Sequence, residues 1–101
     1  MDTDTIDLSV RQLRTVLKAL QGIDPSLIKR LILSQNYLKS IEKVIGYCTS
    51  LIDLDLSINL ITRIENLDTL SSLTQLILSN NRIEEISGLE SLQSLKVLVL
   101  V

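Results

Sequence analysis

The chain has 101 residues, enough for one domain with an elongated core. It carries a formal charge of -2, no histidine, and only 2% aromatic residues against 46% hydrophobic ones. That balance excludes a basic field able to recruit nucleic acid or an anionic membrane. It also excludes an aromatic core, so the interior must be built from Leu and Ile. One cysteine cannot close an internal disulfide, which fits a reducing compartment.

Residues 1–5 are polar and predicted to fray. The start, Met1-Asp2-Thr3-Asp4, has neither the basic region nor the apolar core of a signal peptide. No apolar run approaches the roughly 18 to 20 residues of a membrane span. Ile6 and Leu8 have strand spacing. Ser9 with Gln12 fits a capping box, and Leu8 with Leu13 a hydrophobic staple. Val10, Leu13, Val16, Leu17 and Leu20 recur at helical spacing, which predicts an α-helix over about residues 10–21. Gly22 and Pro25 would end it. Residues 1–27 are therefore either a helical cap or the helix of a longer first repeat preceded by a strand at Ile6–Leu8.

From Ile28 the chain repeats itself. Leu51, Leu54, Leu56, Asn59, Ile61, Ile64, Leu67 and Leu70 return 22 residues later as Leu73, Leu76, Leu78, Asn81, Ile83, Ile86, Leu89 and Leu92. Ile28, Leu31, Leu33, Asn36, Leu38 and Ile41 match the first six of these positions, but 23 residues ahead of the set that starts at Leu51. The extra residue falls between Glu42 and Tyr47, where Gly46 can relax a bulge. Counting forward puts Val44 and Tyr47 in the apolar slots; counting backward puts Ile45 and Cys48 there. Repeats therefore span 28–50, 51–72 and 73–94, with a partial one at 95–101. The sequence stops at Val101 inside a repeat, which predicts a longer parent chain or a covered end.

Two leucines two apart, as in Leu54-x-Leu56, define a short strand with both side chains on one face. The following Asn marks a turn. The apolar residues beyond it are spaced too tightly for a full helix and suit a 3₁₀-like return leg. Such a coil cannot bury its apolar side alone, and stacking makes one continuous core.

The segments LIDLDLSIN (Leu51 to Asn59), LTQLILSNN (Leu73 to Asn81) and IKRLILSQN (Ile28 to Asn36), with the tail from Ile83 to Leu92, resemble the leucine-rich repeat family in its short 22-residue class. That class is known from a protein phosphatase 1 regulatory subunit, a spliceosomal subunit and ciliary and dynein-associated proteins. The resemblance covers about residues 28–101. It implies an α/β solenoid: a parallel sheet of four or five strands on the concave face, short 3₁₀ or irregular convex legs, and the amino-terminal α-helix. It also implies that Asn36, Asn59 and Asn81 form a structural ladder to the backbone, and that partners bind the concave face.

The candidates for that contact are the outward strand positions, Arg30, Ile32, Asp53, Asp55, Gln75, Ile77, Val97 and Val99, with Ser34, Ser57, Ser79 and Val101 continuing the strands. In-register pairing would align Arg30, Asp53, Gln75 and Val97 in one row and Ile32, Asp55, Ile77 and Val99 in a second. Asp53 and Asp55 are paired carboxylates, but an open sheet gives them neither a cleft nor a partner base, so catalysis is not expected. Cys48 reads as a buried structural thiol. Tyr37 is a weak contact candidate. The serines belong to the repeat text, and the scattered glycines form no phosphate loop.

The sequence thus predicts a non-enzymatic protein-interaction module or scaffold, with no cofactor and no metal. Another protein is its partner, not nucleic acid or membrane. The chain should be a monomer unless its open carboxy-terminal end associates. The resemblance adds a phosphatase-regulatory role, a ciliary or dynein-associated scaffold and, less aptly, a ribonucleoprotein component. Cytoplasmic residence is expected, with the nucleus or cilium as alternatives.

Overall fold

The structure is a computed structural model describing residues 4–101. Five three-residue strands form one parallel sheet in chain order. They are β1 (Thr5–Asp7), β2 (Arg30–Ile32), β3 (Asp53–Asp55), β4 (Gln75–Ile77) and β5 (Val97–Val99). Paired residues are Ile6, Leu31, Leu54, Leu76 and Leu98, so successive coils advance by 25, 23, 22 and 22 residues. The molecule measures 36 × 30 × 19 Å.

The coils of β2, β3 and β4 bury their strand leucines, whereas Leu98 of β5 is 37% exposed. Leu31, Leu33, Leu54, Leu56, Leu76 and Leu78 are all at most 1% exposed. The return legs add Ile41, Ile45, Cys48, Ile61, Leu67 and Leu70 to the same core. These legs descend through three-residue hydrogen-bonded turns. Cys48 N donates to Ile45 O and Leu51 N to Cys48 O; Leu70 N to Leu67 O and Leu73 N to Leu70 O repeat the arrangement one coil on. Short 3₁₀ segments occupy Pro25–Leu27 and Lys43–Tyr47. The tight turn puts an apolar side chain inward every third residue, matching the sequence spacing. The slots beside the inserted residue belong to Ile45 and Cys48, while Tyr47 points outward at 64% exposure. Gly46 is not in a left-handed conformation. Its role is close approach: a Cβ there would lie 3.1 Å from the Asn66 carbonyl oxygen.

The first coil corrects the expected α-helix. Among the described residues there is no α-helix. Val10 (φ 54) and Gln12 (φ 59) are left-handed, which breaks any helix through them. The backbone of this stretch is engaged by the next coil instead. Val10 N donates to Ser34 O, and both Arg11 N and Leu13 N donate to Asn36 Oδ1. Val16 N and Thr15 Oγ1 donate to the two carboxylate oxygens of Glu42. A helix of about a dozen residues is marginal by itself. A coil docked on a neighbour satisfies the same amides and buries Val16 and Leu20 at 1% and 4% exposure. Val10 and Leu17, which made the pattern look helical, are 66% and 64% exposed.

The capping box is likewise absent. Ser9 N and Oγ both donate to Asp7 Oδ1, closing a local turn directly after β1. Residues 1–27 thus supply a strand and an irregular return leg, and Gly22 takes its left-handed φ of +83 in a turn of that leg. Pro25 opens a 3₁₀ segment capped by Asp24, whose side chain accepts from Ser26 N. The predicted fraying concerns in part residues 1–3, which lie outside the described residues. Asp4 and Thr5 differ from it: Asp4 O accepts from Lys29 N and Arg30 N, and Thr5 pairs with Arg30.

Candidate functional site: the open face of the sheet

A strand alternates its side chains between two faces. Here one face is the core, and the other carries what the core does not need. The register places Thr5, Arg30, Asp53, Gln75 and Val97 in one row across the sheet. A second row holds Asp7, Ile32, Asp55, Ile77 and Val99. All eight outward positions singled out by the sequence therefore lie on one face. Thr5 and Asp7 complete the rows; the sequence offers the strand at Ile6–Leu8 only as one of two readings, and the outward positions beside Ile6 are not among its candidates. The signal was there: Ile6, Leu8, Leu13, Val16 and Leu20 stand 25 residues before Leu31, Leu33, Leu38, Ile41 and Ile45.

The ladder continues past the strands. Val10 N, Gln35 N and Ile58 N donate to the carbonyls of Ser34, Ser57 and Ser79. A third row, Ser9, Ser34, Ser57 and Ser79, is thereby aligned beside the second. It ends at a rim of left-handed residues, Val10, Gln35, Ile58 and Asn80, with φ between 54 and 58. Val10 and Ile58 are β-branched residues held where such side chains are disfavoured, and with Tyr37 they leave 46–66% of their surface exposed.

The charges on this face are few and organised. Arg30 Nε donates to Asp53 Oδ2 at 2.9 Å, with side chains 52% and 33% exposed. A pair this wet is worth about 0 to 1 kcal/mol. Asp55 Oδ1 accepts from Ser57 N and Ser57 Oγ, the same turn that Asp7 makes with Ser9. The Ser9 hydroxyl bond, then the Ser9 backbone bond and last the charge of Arg11 hold the Asp7 carboxyl below its usual range, against desolvation. Among the described residues, no cluster of three or more His, Cys, Asp or Glu side chains could hold a metal. No helix among the described residues is long and apolar enough to cross a membrane.

Beneath the face, the asparagines hold one coil to the next. Asn59 Nδ2 donates to the carbonyls of Leu33, Leu56 and Ser57, and its Oδ1 accepts from Leu38 N. Asn81 does the same one coil on, with Leu56, Leu78, Ser79 and Ile61 N. Asn36 bonds Leu8, Leu33 and Ser34, and covers two amides of the first coil. The first coil has Arg11 in this slot, and Asn36 satisfies both Arg11's own amide and that of Leu13. Cys48 is fully buried; its Sγ donates to Val44 O, and burial pushes the thiol up to about 11. That leaves it a core residue and not a nucleophile.

Comparison with known proteins agrees with this geometry. Residues 26–83 match a family model described as leucine rich repeat, and residues 71–101 match one described as leucine rich repeats in two copies. The fold is similar to that of an internalin from Listeria monocytogenes, with a TM-score of 0.70 and 27% identity over 81% of this chain. The chain spans about a quarter of that protein, 24% of its length. No curated protein matches the sequence.

Proposed function

The chain belongs to the leucine-rich repeat family, and on that premise we propose that it is a non-enzymatic interaction module that binds a partner protein on the open face of its sheet. One observation carries this reading. Core positions repeat from coil to coil, whereas those of the first two outward rows do not: Asp53 faces Gln75 and Asp55 faces Ile77 across adjacent strands. Scaffold positions are bound by packing; the outward positions are bound by nothing inside the chain except one ion pair and local turns. The backbone of the face is fixed by the sheet, so a partner that docks there demands little ordering from this side.

Of the finer roles, phosphatase regulation fits less well than a ciliary or dynein-associated scaffold, because the outward rows contain no aromatic side chain. The ribonucleoprotein role has no basic surface on this face to support it. Cytoplasmic residence fits the lone buried thiol. Recovery of partners on the wild-type protein and on Asp53→Arg/Asp55→Arg tests the binding surface. The substituted protein should lose its partner while Asp68→Arg, on an exposed return leg, keeps it. Equal recovery by all three would overturn the proposal.

A further inference from the structure

We infer that the occupant of the open face is a basic amphipathic helix lying across the strands, its cations on Asp7 and Asp55 and its apolar side on Ile32 and Ile77. The inference rests on the open-face reading above and deepens it.

The face has a charge surplus of one sign. Its three carboxylates, Asp7, Asp53 and Asp55, meet two cations: Arg30, which is engaged by Asp53, and Arg11, whose charge is the least of the influences on Asp7 and which makes no hydrogen bond to it. Asp7 and Asp55 each spend Oδ1 on a serine two residues on, and the serine turns do not use Oδ2. They stand in one row with Ile32 between them and Ile77 beyond. Charge, apolar, charge, apolar across four strands is a complementary template for a segment with cations on either side of an aliphatic contact.

The spacing selects a helix. Asp7 and Asp55 are two strands apart, about 9.6 Å at the usual strand separation. Residues i and i+7 of an α-helix lie about 10.5 Å apart on one side. The backbone argues the same way. The sheet's own N–H and C=O groups pair between strands, so its face offers no ladder to an extended peptide. A helix arrives with its peptide groups already paired. In the row of serines beside the acids, two hydroxyls, on Ser9 and Ser57, are turned back onto the acids. Beyond them, the exposed Val10, Tyr37 and Ile58 line a hollow of about 320 Å³ together with the polar Gln12, Gln35 and Asn36.

The test uses a designed helical peptide with lysines at i and i+7 and leucines at i+3 and i+4, and a second with glutamates in place of the lysines. Binding is read by fluorescence anisotropy, and its location by amide chemical shifts. The lysine peptide should bind, move the amides of β1 to β4, and weaken as salt is raised. Asp7→Asn/Asp55→Asn keeps the Oδ1 acceptors of both serine turns and should weaken binding about tenfold. Should that variant fold poorly, the glutamate peptide and the salt series decide on the wild-type protein. Equal binding by both peptides, no binding by either, or shifts confined to the return legs would overturn the inference. The open-face reading would survive such a result if Asp53→Arg/Asp55→Arg still lost the natural partner, so the two failures are distinguishable.

Discussion

Asn59→Ala isolates the cost of one rung between coils. The side chain is 6% exposed and makes four bonds between 3.0 and 3.2 Å, to Leu33 O, Leu56 O, Ser57 O and Leu38 N. An amide nitrogen has only two hydrogens for its three carbonyls, so these amount to about three full bonds. At about 1 kcal/mol net each, alanine should cost about 3 kcal/mol, and more if Leu38 N–H finds no water. For a domain of this size that is a fall in Tm of about 12–24 °C. Thermal and urea denaturation measure it, and faster hydrogen exchange at Leu38 locates it. Partner binding below the transition should persist, since Asn59 lies beneath the face and not on it. An unchanged Tm would refute the reasoning, because buried peptide groups would then be finding partners without the ladder.

Gly88→Ala should destabilise far more than Gly22→Ala, by about 2 kcal/mol or more against about 1 kcal/mol. Both glycines have positive φ, but a Cβ at Gly88 would overlap the Ile64 carbonyl oxygen, whereas nothing lies within 4 Å of one at Gly22. Chemical denaturation of the two variants checks the order, and equal losses would contradict the packing between these coils. Cys48 gives a pH signature. Its folded thiol sits at about 11 against 9.0 for an ordinary one, so between these values the unfolded chain releases a proton that the folded chain retains. Stability must therefore fall as pH rises through that window, by at most about 1.4 kcal/mol per unit. Urea denaturation from pH 8 to 11 should show a steeper fall for wild type than for Cys48→Ala; parallel curves would mean the thiol is not buried.

The parts of the fold that were legible are those where the same residue type recurs at one offset. Leu54 and Leu76, or Asn59 and Asn81, announce a strand and a turn because any coil needs them there. The first coil was opaque for a physical reason. Leu13, Val16 and Leu20 fit a helix and a return leg equally well, and Val10 and Leu17 tipped the pattern toward the helix although both face solvent. What decides between them is a partner 25 residues away: Asn36 supplies the acceptor for Arg11 N and Leu13 N. Local periodicity carries no trace of that long-range bond. The open face was readable wherever the repeat fixed the strands, so Asp53 and Asp55 could be placed beside Gln75 and Ile77, while the strand at Ile6–Leu8 was one of two readings and Asp7 was not picked out on it. The serine turns that fix Asp7 and Asp55 were present only as an Asp-x-Ser spacing common to many loops.

The most direct test of the central claim is photo-crosslinking from single positions. A photoreactive side chain at Gln75, on the open face, should give a covalent adduct with the partner, and one at Asp68, on the return leg, should give none. Adducts from Asp68 with none from Gln75 would place the partner on the opposite side of the solenoid and contradict the account.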